Sequence, residues 1–108
     1  MSYVSFEEFQ KLDLRVGKVV SAERVQRARK LLLLKVDIGG ELRTLVAGLA
    51  EYYAPEQLVG KEIVVVANLE PKVIMGLKSE GMLLAAVVNG KPVLIVPESE
   101  VPPGTKIS

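Results

Sequence analysis

The stretch Leu31-Leu32-Leu33-Leu34-Lys35-Val36-Asp37-Ile38-Gly39-Gly40-Glu41-Leu42-Arg43-Thr44-Leu45-Val46 decides the fold class of this chain. Its first half, Leu31 to Ile38, is a dense apolar run whose periodicity alone is also compatible with a buried helix. Gly39-Gly40 and the polar-apolar alternation from Leu42 to Val46 favour a β-hairpin instead, because glycine accepts the positive φ angles of tight hairpin turns. We therefore predict two antiparallel strands here.

Further strands are indicated on both sides of this hairpin by alternating or β-branched apolar runs that end at turn residues. A short helical connector is expected from Pro55, with Gly60 closing it. The predicted strands are Leu14–Val25 with a bend at Gly17, Ile63–Ala67, Gly81–Val88 and, after an Asn89-Gly90 turn, Val93–Val96. Five main strands and a sixth short one result, with the helix between the third and fourth strands.

This element order is that of the five-stranded oligonucleotide-binding barrel, an all-β fold. A short N-terminal helix should precede it, since Ser5 and Glu8 form a capping box, and the shared face of Phe6, Phe9 and Leu12 is expected to plug one end of the barrel. The proline-punctuated end, which includes Pro102-Pro103-Gly104, is expected to pack as an ordered C-terminal extension. A chain of 108 residues has room for one core, so we predict a single domain over residues 1–108.

Composition excludes several functional classes. The chain has no cysteine and no histidine, so disulfides, thiolate nucleophiles, histidine-based proton transfer and the usual zinc sites are absent, and we expect neither catalysis, nor a metal, nor a cofactor. No apolar run approaches the roughly 18 residues that span a bilayer, and no charged-then-apolar leader opens the sequence, so a soluble, cytoplasmic protein without a membrane partner is expected. The net charge of +1 gives no global basic field, and any nucleic-acid binding must rest on local charge.

Local positive charge occurs between Arg24 and Lys35, a stretch with five basic and no acidic residues: Arg24, Arg27, Arg29, Lys30 and Lys35. This stretch lies at the predicted junction between the first and second strands, one of the two loops with which such barrels bind ligands. Basic residues at a loop tip can contact phosphates and release counterions, which gives salt-sensitive affinity. The alternative interpretation is a solvated surface turn.

A second signal is the segment from Asn68 to Met82, of which we interpret residues 68–80 as a long ordered loop between the fourth and fifth strands. Asn68 and Ser79 are expected at the rim of a groove, where they could hydrogen-bond ribose or phosphate. Lys72 and Lys78 offer positive charge, and Met75 could lie against a base. Structural explanations compete for some of these residues, since Gly76 and Gly81 suit turns and Met82 suits a core.

Six blocks across nearly the whole chain together resemble the tRNA-binding domain family, which occurs at the C-terminus of methionyl-tRNA synthetases, in their separate small subunits and in free-standing tRNA-binding proteins. The resemblance implies an oligonucleotide-binding barrel that grips the outside corner of tRNA by shape and backbone, with little selectivity among tRNAs. The blocks are Asp13-Leu14-Arg15-Val16-Gly17-Lys18-Val19, Lys35-Val36-Asp37-Ile38-Gly39, Leu45-Val46-Ala47-Gly48-Leu49-Ala50 with Tyr52-Tyr53, Val66-Ala67-Asn68-Leu69, Lys78-Ser79-Glu80-Gly81-Met82-Leu83-Leu84-Ala85 and Pro103-Gly104-Thr105-Lys106-Ile107.

The resemblance also implies which residues contact RNA. Matching positions are Asn68, Lys72, Ser79 and Met82 in the later segment, and Arg15 with Lys18 in the first strand. This chain departs from the family in two places. It has Glu70, Val73 and Met75 where more basic residues are common, and Val25-Gln26-Arg27 where a His-Pro-Asp pattern is common. Positive charge has moved to Arg27, Arg29 and Lys30, so we expect binding with a different balance of contacts.

The partners implied are tRNA, a second copy of the chain, and the catalytic chain of a methionyl-tRNA synthetase in cis or in trans. The mean hydropathy of +0.30 supports a homodimer independently, because one small barrel cannot readily enclose so many apolar side chains. Val101 and Ile107 near the C-terminus are the expected contacts. The competing function is that of a dimeric chaperone that holds unfolded or exported polypeptides, as one branch of the family does, and a third is a pure assembly module.

Overall fold

The hairpin that decides the fold class is present as two antiparallel strands. The computed structural model describes residues 2–108. Its elements are α1 (Phe6–Gln10), β1 (Leu14–Val25), β2 (Ala28–Asp37), β3 (Leu42–Ala47), α2 (Pro55–Leu58), β4 (Glu62–Val66), β5 (Lys72–Ile74), β6 (Leu77–Ser79), β7 (Met82–Leu83), β8 (Ala85–Val88), β9 (Lys91–Leu94) and β10 (Lys106–Ile107). Strands β2 and β3 pair from Leu32 opposite Ala47 to Asp37 opposite Leu42. The turn between them uses the positive φ angles of Gly39 (98°) and Gly40 (85°).

The main sheet confirms the all-β class and the predicted position of the connecting helix. Its antiparallel strands follow the order β3-β2-β1-β4-β7, and β10 adds to β1. Within residues 2–108 strand pairing does not close this sheet into a complete barrel. The gap is bridged instead by hydrogen bonds, because the Glu80 amide donates to the Thr44 carbonyl at 2.7 Å and the Thr44 amide donates to Glu80 Oε1 at 3.2 Å.

The core is made of aliphatic side chains on alternate strand positions, including the fully buried Leu32, Leu34 and Ile63. Gly17 lies among them, and a Cβ atom there would come within 2.5 Å of Val36 Cγ1. Glycine at this position therefore allows the strands to pack closely. The register of β1 with β2 shifts, as in a β-bulge, between Val19 and Ser21 and again between Arg24 and Val25.

Helix α1 has the predicted cap, since the Glu8 amide donates to the Ser5 hydroxyl at 3.1 Å. The prediction that it plugs the barrel is wrong, because none of its residues is buried and Phe6 is 70% exposed. The end of the helix is held at the surface by Asn68. The Asn68 side chain donates to the Lys11 carbonyl at 2.6 Å and accepts from the Asp13 amide at 2.8 Å.

Residues 68–80 form a hairpin and not the long loop that we predicted. Strands β5 and β6 pair from Lys72 opposite Ser79 to Ile74 opposite Leu77. The two residues between them, Met75 and Gly76, have φ angles of 51° and 78°, close to those of Asn89 (51°) and Gly90 (81°) in the next hairpin. Asn-Gly is a recognised signal for this turn and Met-Gly is not, so only the second hairpin could be predicted.

The predicted strand Gly81–Val88 is divided into two. Strand β7 pairs with β4, whereas β8 pairs with β9 in a separate two-stranded sheet. The hydroxyl of Tyr53 fastens this second sheet to the rest of the molecule, because it donates to the Pro92 carbonyl and accepts from the Leu94 amide, both at 3.3 Å.

The C-terminal extension is ordered, as expected. The Val101 amide donates to Glu62 Oε1 at 2.9 Å, and the Gly104 amide donates to the Val16 carbonyl at 2.7 Å. Strand β10 then places Ile107 opposite Leu14 of β1. None of the helices within residues 2–108 is long and apolar enough to cross a membrane.

Candidate nucleic-acid interface

The basic stretch of the sequence forms the outer end of the β1–β2 hairpin. Val25 pairs with Ala28, so the turn consists only of Gln26 and Arg27, and most of the basic residues lie in the strands and not in a loop. We call the exposed Arg27, Arg29 and Lys30 the basic tip. The ion pairs within residues 2–108 involve none of these three side chains, which leaves their charges available to a ligand.

Arg24 has a structural contact that separates it from the basic tip. Its Nη1 atom donates to the Ala50 carbonyl at 3.1 Å, and the Ala50 amide donates to the Lys30 carbonyl at 3.1 Å. These two bonds hold the segment after β3 against the base of the hairpin. The tip consequently extends from a supported root.

A cavity of about 430 Å³ lies beside the β5–β6 hairpin. Its lining residues are Asn68, Leu69, Glu70, Lys72, Ile74, Ser79, Gly81 and Met82. We call it the hairpin cavity. All four residues that the family resemblance marks in this segment are therefore brought together, and the lining is largely apolar with two charged side chains, Glu70 and Lys72.

Asn68 and Ser79 differ from what the sequence suggested. Ser79 is only 3% exposed, and its hydroxyl accepts from the Val46 amide and donates to the Gly81 carbonyl, both at 3.1 Å. Its predicted place at the rim is wrong, because the hydroxyl lies in the interior and accepts a hydrogen bond from the edge strand β3. Asn68 is exposed, but its amide is already bonded to the end of α1.

Lys72 and Lys78 lie on opposite faces of the hairpin. Lys72 pairs with Ser79 and shares the face that lines the cavity, whereas Lys78 pairs with Val73 on the other face, as expected from the alternation of side chains along a strand. Both lysines are exposed. Met75 is at the turn and 56% exposed, away from the cavity lining.

The first-strand residues Arg15 and Lys18 do not join this site. Arg15 Nε donates to Asp13 Oδ1 at 2.9 Å, and Lys106 Nζ approaches the same oxygen at 3.4 Å. The Arg15 hydrogen bond lowers the pKa of Asp13, and the carboxylate in turn raises the pKa of Arg15. Lys18 lines a different cavity of about 340 Å³ together with Glu62, Glu100 and Val101–Pro103.

Strand β3 connects the basic tip with the hairpin cavity. Val46 lies opposite Leu33 of β2, the strand that leads to the tip, and its amide donates to Ser79 at the base of the β5–β6 hairpin. Arg43 on the same strand holds both ends of the cavity segment, because its Nη1 atom donates to the carbonyls of Ala67 at 2.7 Å and Glu80 at 3.1 Å. One strand therefore supports both the root of the basic tip and the hairpin cavity.

Sequence reasoning did not assign a binding role to Leu69 or Glu70, although both line the cavity. Glu70 carried a signal, because it stands where basic residues are common in the resembled family. Leu69 carried none, since a single apolar residue in a presumed loop gives no direction for its side chain.

Comparison with known proteins agrees with this geometry. A family model described as "Putative tRNA binding domain" matches residues 14–106. The chain is 55% identical over 107 residues to the methionine–tRNA ligase of Pyrococcus furiosus, a match that covers 99% of this chain and 15% of the ligase. The chain thus spans only a small part of such relatives.

Two solved structures match over almost the whole chain. The crystal structure of a MetRS related protein from Pyrococcus horikoshii has a TM-score of 0.94 and 42% identity, and the match covers 100% of both chains. The chaperone CsaA of Bacillus anthracis has a TM-score of 0.91 and 39% identity, and the match covers 99% of this chain and 100% of that one. The family match over residues 14–106 and these relatives together show that the chain belongs to the family of tRNA-binding domains.

Proposed function

We propose that the chain is a non-catalytic module that holds tRNA for a methionyl-tRNA synthetase and recognises the outer corner of tRNA by shape and backbone. One observation carries the proposal: β3 joins the exposed basic tip to the hairpin cavity. A phosphate backbone can follow the tip while an exposed base or sugar lies against the cavity. Contacts of this kind carry little base information, so tRNAs of different sequence should bind with similar affinity.

The charge distribution supports local and not general attraction of RNA. With a net charge of +1 the chain has no long-range field to gather nucleic acid. The three cations of the basic tip lie close together in sequence, and none of them takes part in the ion pairs found within residues 2–108. Affinity should therefore be modest and should fall as salt rises, since each neutralised phosphate releases counterions.

The relatives support the synthetase as the partner. The match to the Pyrococcus furiosus ligase covers 15% of that protein, and the Pyrococcus horikoshii MetRS related protein has the same extent as this chain. A module of this size can act in cis, as part of a longer synthetase, or in trans, as a separate subunit in the cytoplasm. Both arrangements raise the effective concentration of tRNA near a catalytic chain that binds it weakly.

The test of the proposal is a pair of titrations run in physiological salt, one with several purified tRNAs and one with an unfolded polypeptide such as reduced, carboxymethylated lactalbumin. We expect the tRNAs to bind within a few-fold of one another and the polypeptide to bind much more weakly. A hundredfold preference for one tRNA would contradict recognition by shape. Tight binding of the polypeptide alone would favour the alternative, a chaperone, which the likeness to CsaA supports.

We further propose that the chain forms a symmetric homodimer through an apolar surface on and after the β8–β9 hairpin. Its exposed side chains include Val87 (73%), Val88 (54%) and Val96 (50%). The expected contacts Val101 and Ile107 are less suitable, because both are half-buried within their own chain. A twofold interface of standard size, roughly 1,200 to 2,000 Å² in total, would cover this surface.

Sedimentation equilibrium at micromolar concentration tests the dimer. We expect a mass of twice 11.7 kDa, and Val87→Asp should return the protein to the monomer mass. The matched substitution Val73→Asp on the β5–β6 hairpin, at a similarly exposed position (69%), should leave the dimer intact. A monomer mass for the unaltered chain would contradict the dimer and the hydropathy argument together.

A further inference from the structure

The hairpin cavity has few polar groups that are free to meet a ligand. The Asn68 amide is bonded to the end of α1, and the Ser79 hydroxyl is bonded to Val46 and Gly81. Among the lining side chains this leaves Glu70 and Lys72, which are both exposed and which form none of the ion pairs found within residues 2–108.

The rest of the lining is apolar. Leu69 and Met82 are 44% and 37% exposed, and Ile74 of strand β5 is half-buried. A concave apolar site of this kind with a few convergent polar groups is typical of pockets for small flat ligands, which are commonly 300 to 1,000 Å³. In RNA the flat group that fits is an unstacked nucleobase, whose faces are apolar and whose edges carry hydrogen-bonding groups.

We propose that the hairpin cavity holds one unstacked nucleobase that carries an exocyclic amino group, with the amino group donating to the Glu70 carboxylate. This inference rests on the proposed function and names the RNA feature that the cavity accepts. The carboxylate can only accept hydrogen bonds, so it favours the amino group of cytosine, which has a donor at the position where uracil has a carbonyl oxygen. Lys72, which also lines the cavity, would meet the adjoining phosphate or the oxygen of the base.

Glu70 would otherwise work against RNA binding. A carboxylate at a surface that binds phosphate repels the RNA backbone. Glu70, two residues before Lys72, therefore lowers the affinity for RNA unless another contact compensates. A single base contact is compatible with weak selectivity among whole tRNAs, since any tRNA that presents a base with an amino group at this point satisfies it.

Anisotropy titrations with two labelled RNA hexamers, one of cytidine only and one of uridine only, test the proposal at low salt. The two hexamers have the same charge and the same ring size, so their affinity ratio isolates the edge of the base. We expect the intact chain to prefer the cytidine hexamer by about tenfold, as befits a hydrogen bond to a charged group.

The variant Glu70→Gln should abolish this preference, because an amide can both donate to uracil and accept from cytosine. Removing a negative charge should also strengthen binding of both hexamers, so the ratio of the two affinities, and not either affinity, is the readout. The control Glu98→Gln makes the same change in charge at an exposed residue outside the cavity lining and should keep the tenfold ratio. Thermal melting of both variants confirms that they are folded.

Three results would overturn the inference: equal affinities in the unaltered chain, a ratio that Glu70→Gln leaves unchanged, or no binding of either hexamer at concentrations where tRNA binds. In each of these cases tRNA binding itself can persist, so the proposed function would stand. Loss of tRNA binding together with a preserved hexamer ratio would contradict the proposed function alone.

Discussion

The basic tip and the β5–β6 hairpin are two candidate binding surfaces that the fold supports in different ways. The tip is the end of two long strands of the main sheet, and its three charged side chains make no internal ion pairs within residues 2–108. The β5–β6 hairpin has two strands of three residues each, and buried groups such as the Ser79 hydroxyl hold it in place. Residue types that suggest RNA binding are therefore available to a ligand only where the fold does not already use them.

The largest effect that tests this comparison is on stability. Ser79→Ala should lower the free energy of unfolding by about 1 to 3 kcal/mol, because the Val46 amide would lose its buried acceptor. The neighbouring exposed substitution Lys78→Ala should change it by less than about 0.5 kcal/mol. Urea unfolding of both variants measures the difference. Equal stability of Ser79→Ala and the unaltered chain would return Ser79 to the set of residues that can serve a ligand.

Charge reversal at the basic tip should act on binding without affecting stability. Arg27→Glu and Arg29→Glu, made singly, should each weaken tRNA binding by about fivefold near 0.1 M salt and reduce the slope of log K against log salt by roughly 0.7 to 0.9. Lys61→Glu, an equal change in charge at an exposed position outside both candidate surfaces, is the control. A slope that neither tip variant alters would make the tip a solvated turn.

The hairpin cavity should contribute affinity that salt does not affect. Met82→Ala should weaken tRNA binding by about threefold and leave the salt slope unchanged, because it removes apolar contact area and no charge. Val73→Ala changes an exposed apolar residue outside the cavity lining of the same hairpin and should have little effect. Binding isotherms at three salt concentrations separate ionic from apolar contacts. A change in the salt slope for Met82→Ala would contradict the assignment of the hairpin cavity to apolar contacts.

The smallest effect concerns the start of the segment that leads into the β5–β6 hairpin, where Asp13 contacts Asn68 and Arg15. Arg15 lowers the pKa of the Asp13 carboxyl in the folded chain, so this interaction contributes stability above the ordinary pKa of about 3.9 and loses it as the pH falls through the folded value. Asp13→Asn should therefore make stability less dependent on pH between 5 and 2. Unfolding curves across this range measure the difference, with Asp37→Asn, whose carboxylate caps the Gly39 amide at 2.8 Å, as comparison.

The sequence was sufficient to predict the parts of the fold that depend on the spacing of apolar residues and on the residue types in turns. Apolar alternation predicted β1, and Gly39-Gly40 and Asn89-Gly90 predicted their hairpins, because glycine and asparagine accept positive φ angles. The same rule failed at Met75-Gly76, where the first turn residue carries an unusual positive φ for its type. Local rules do not reveal that strand β3 lies at the edge of the main sheet, where its Val46 amide donates a hydrogen bond to Ser79 of β6. This contact links the β5–β6 hairpin to the sheet.

The candidate site was predictable in position but not in the role of each side chain. Charge density located the basic tip but not its limits, because Arg24 in the same basic stretch is bonded to the Ala50 carbonyl and does not belong to it. The position of Asn68 and Ser79 in the segment was correct, yet their roles as internal hydrogen-bonding groups depend on Lys11 and Val46, which are distant in sequence. Lys18 shows the same limit, because its neighbours Glu62 and Glu100 come from later parts of the chain.

The pairing of β1 with three other strands has a consequence for how the chain acquires its structure. Its partners β2, β4 and β10 lie progressively further along the sequence, so β2 can pair during early collapse while β10, with Ile107 opposite Leu14, must close a loop of about 90 residues. The β1–β2–β3 meander is therefore the expected folding nucleus. Pulse-labelled amide exchange during refolding should protect the amides that pair β1 with β2, between Lys18 and Val25, before the Val16 amide, which bonds to the Thr105 carbonyl. The basic tip would then take its final shape before the molecule is complete.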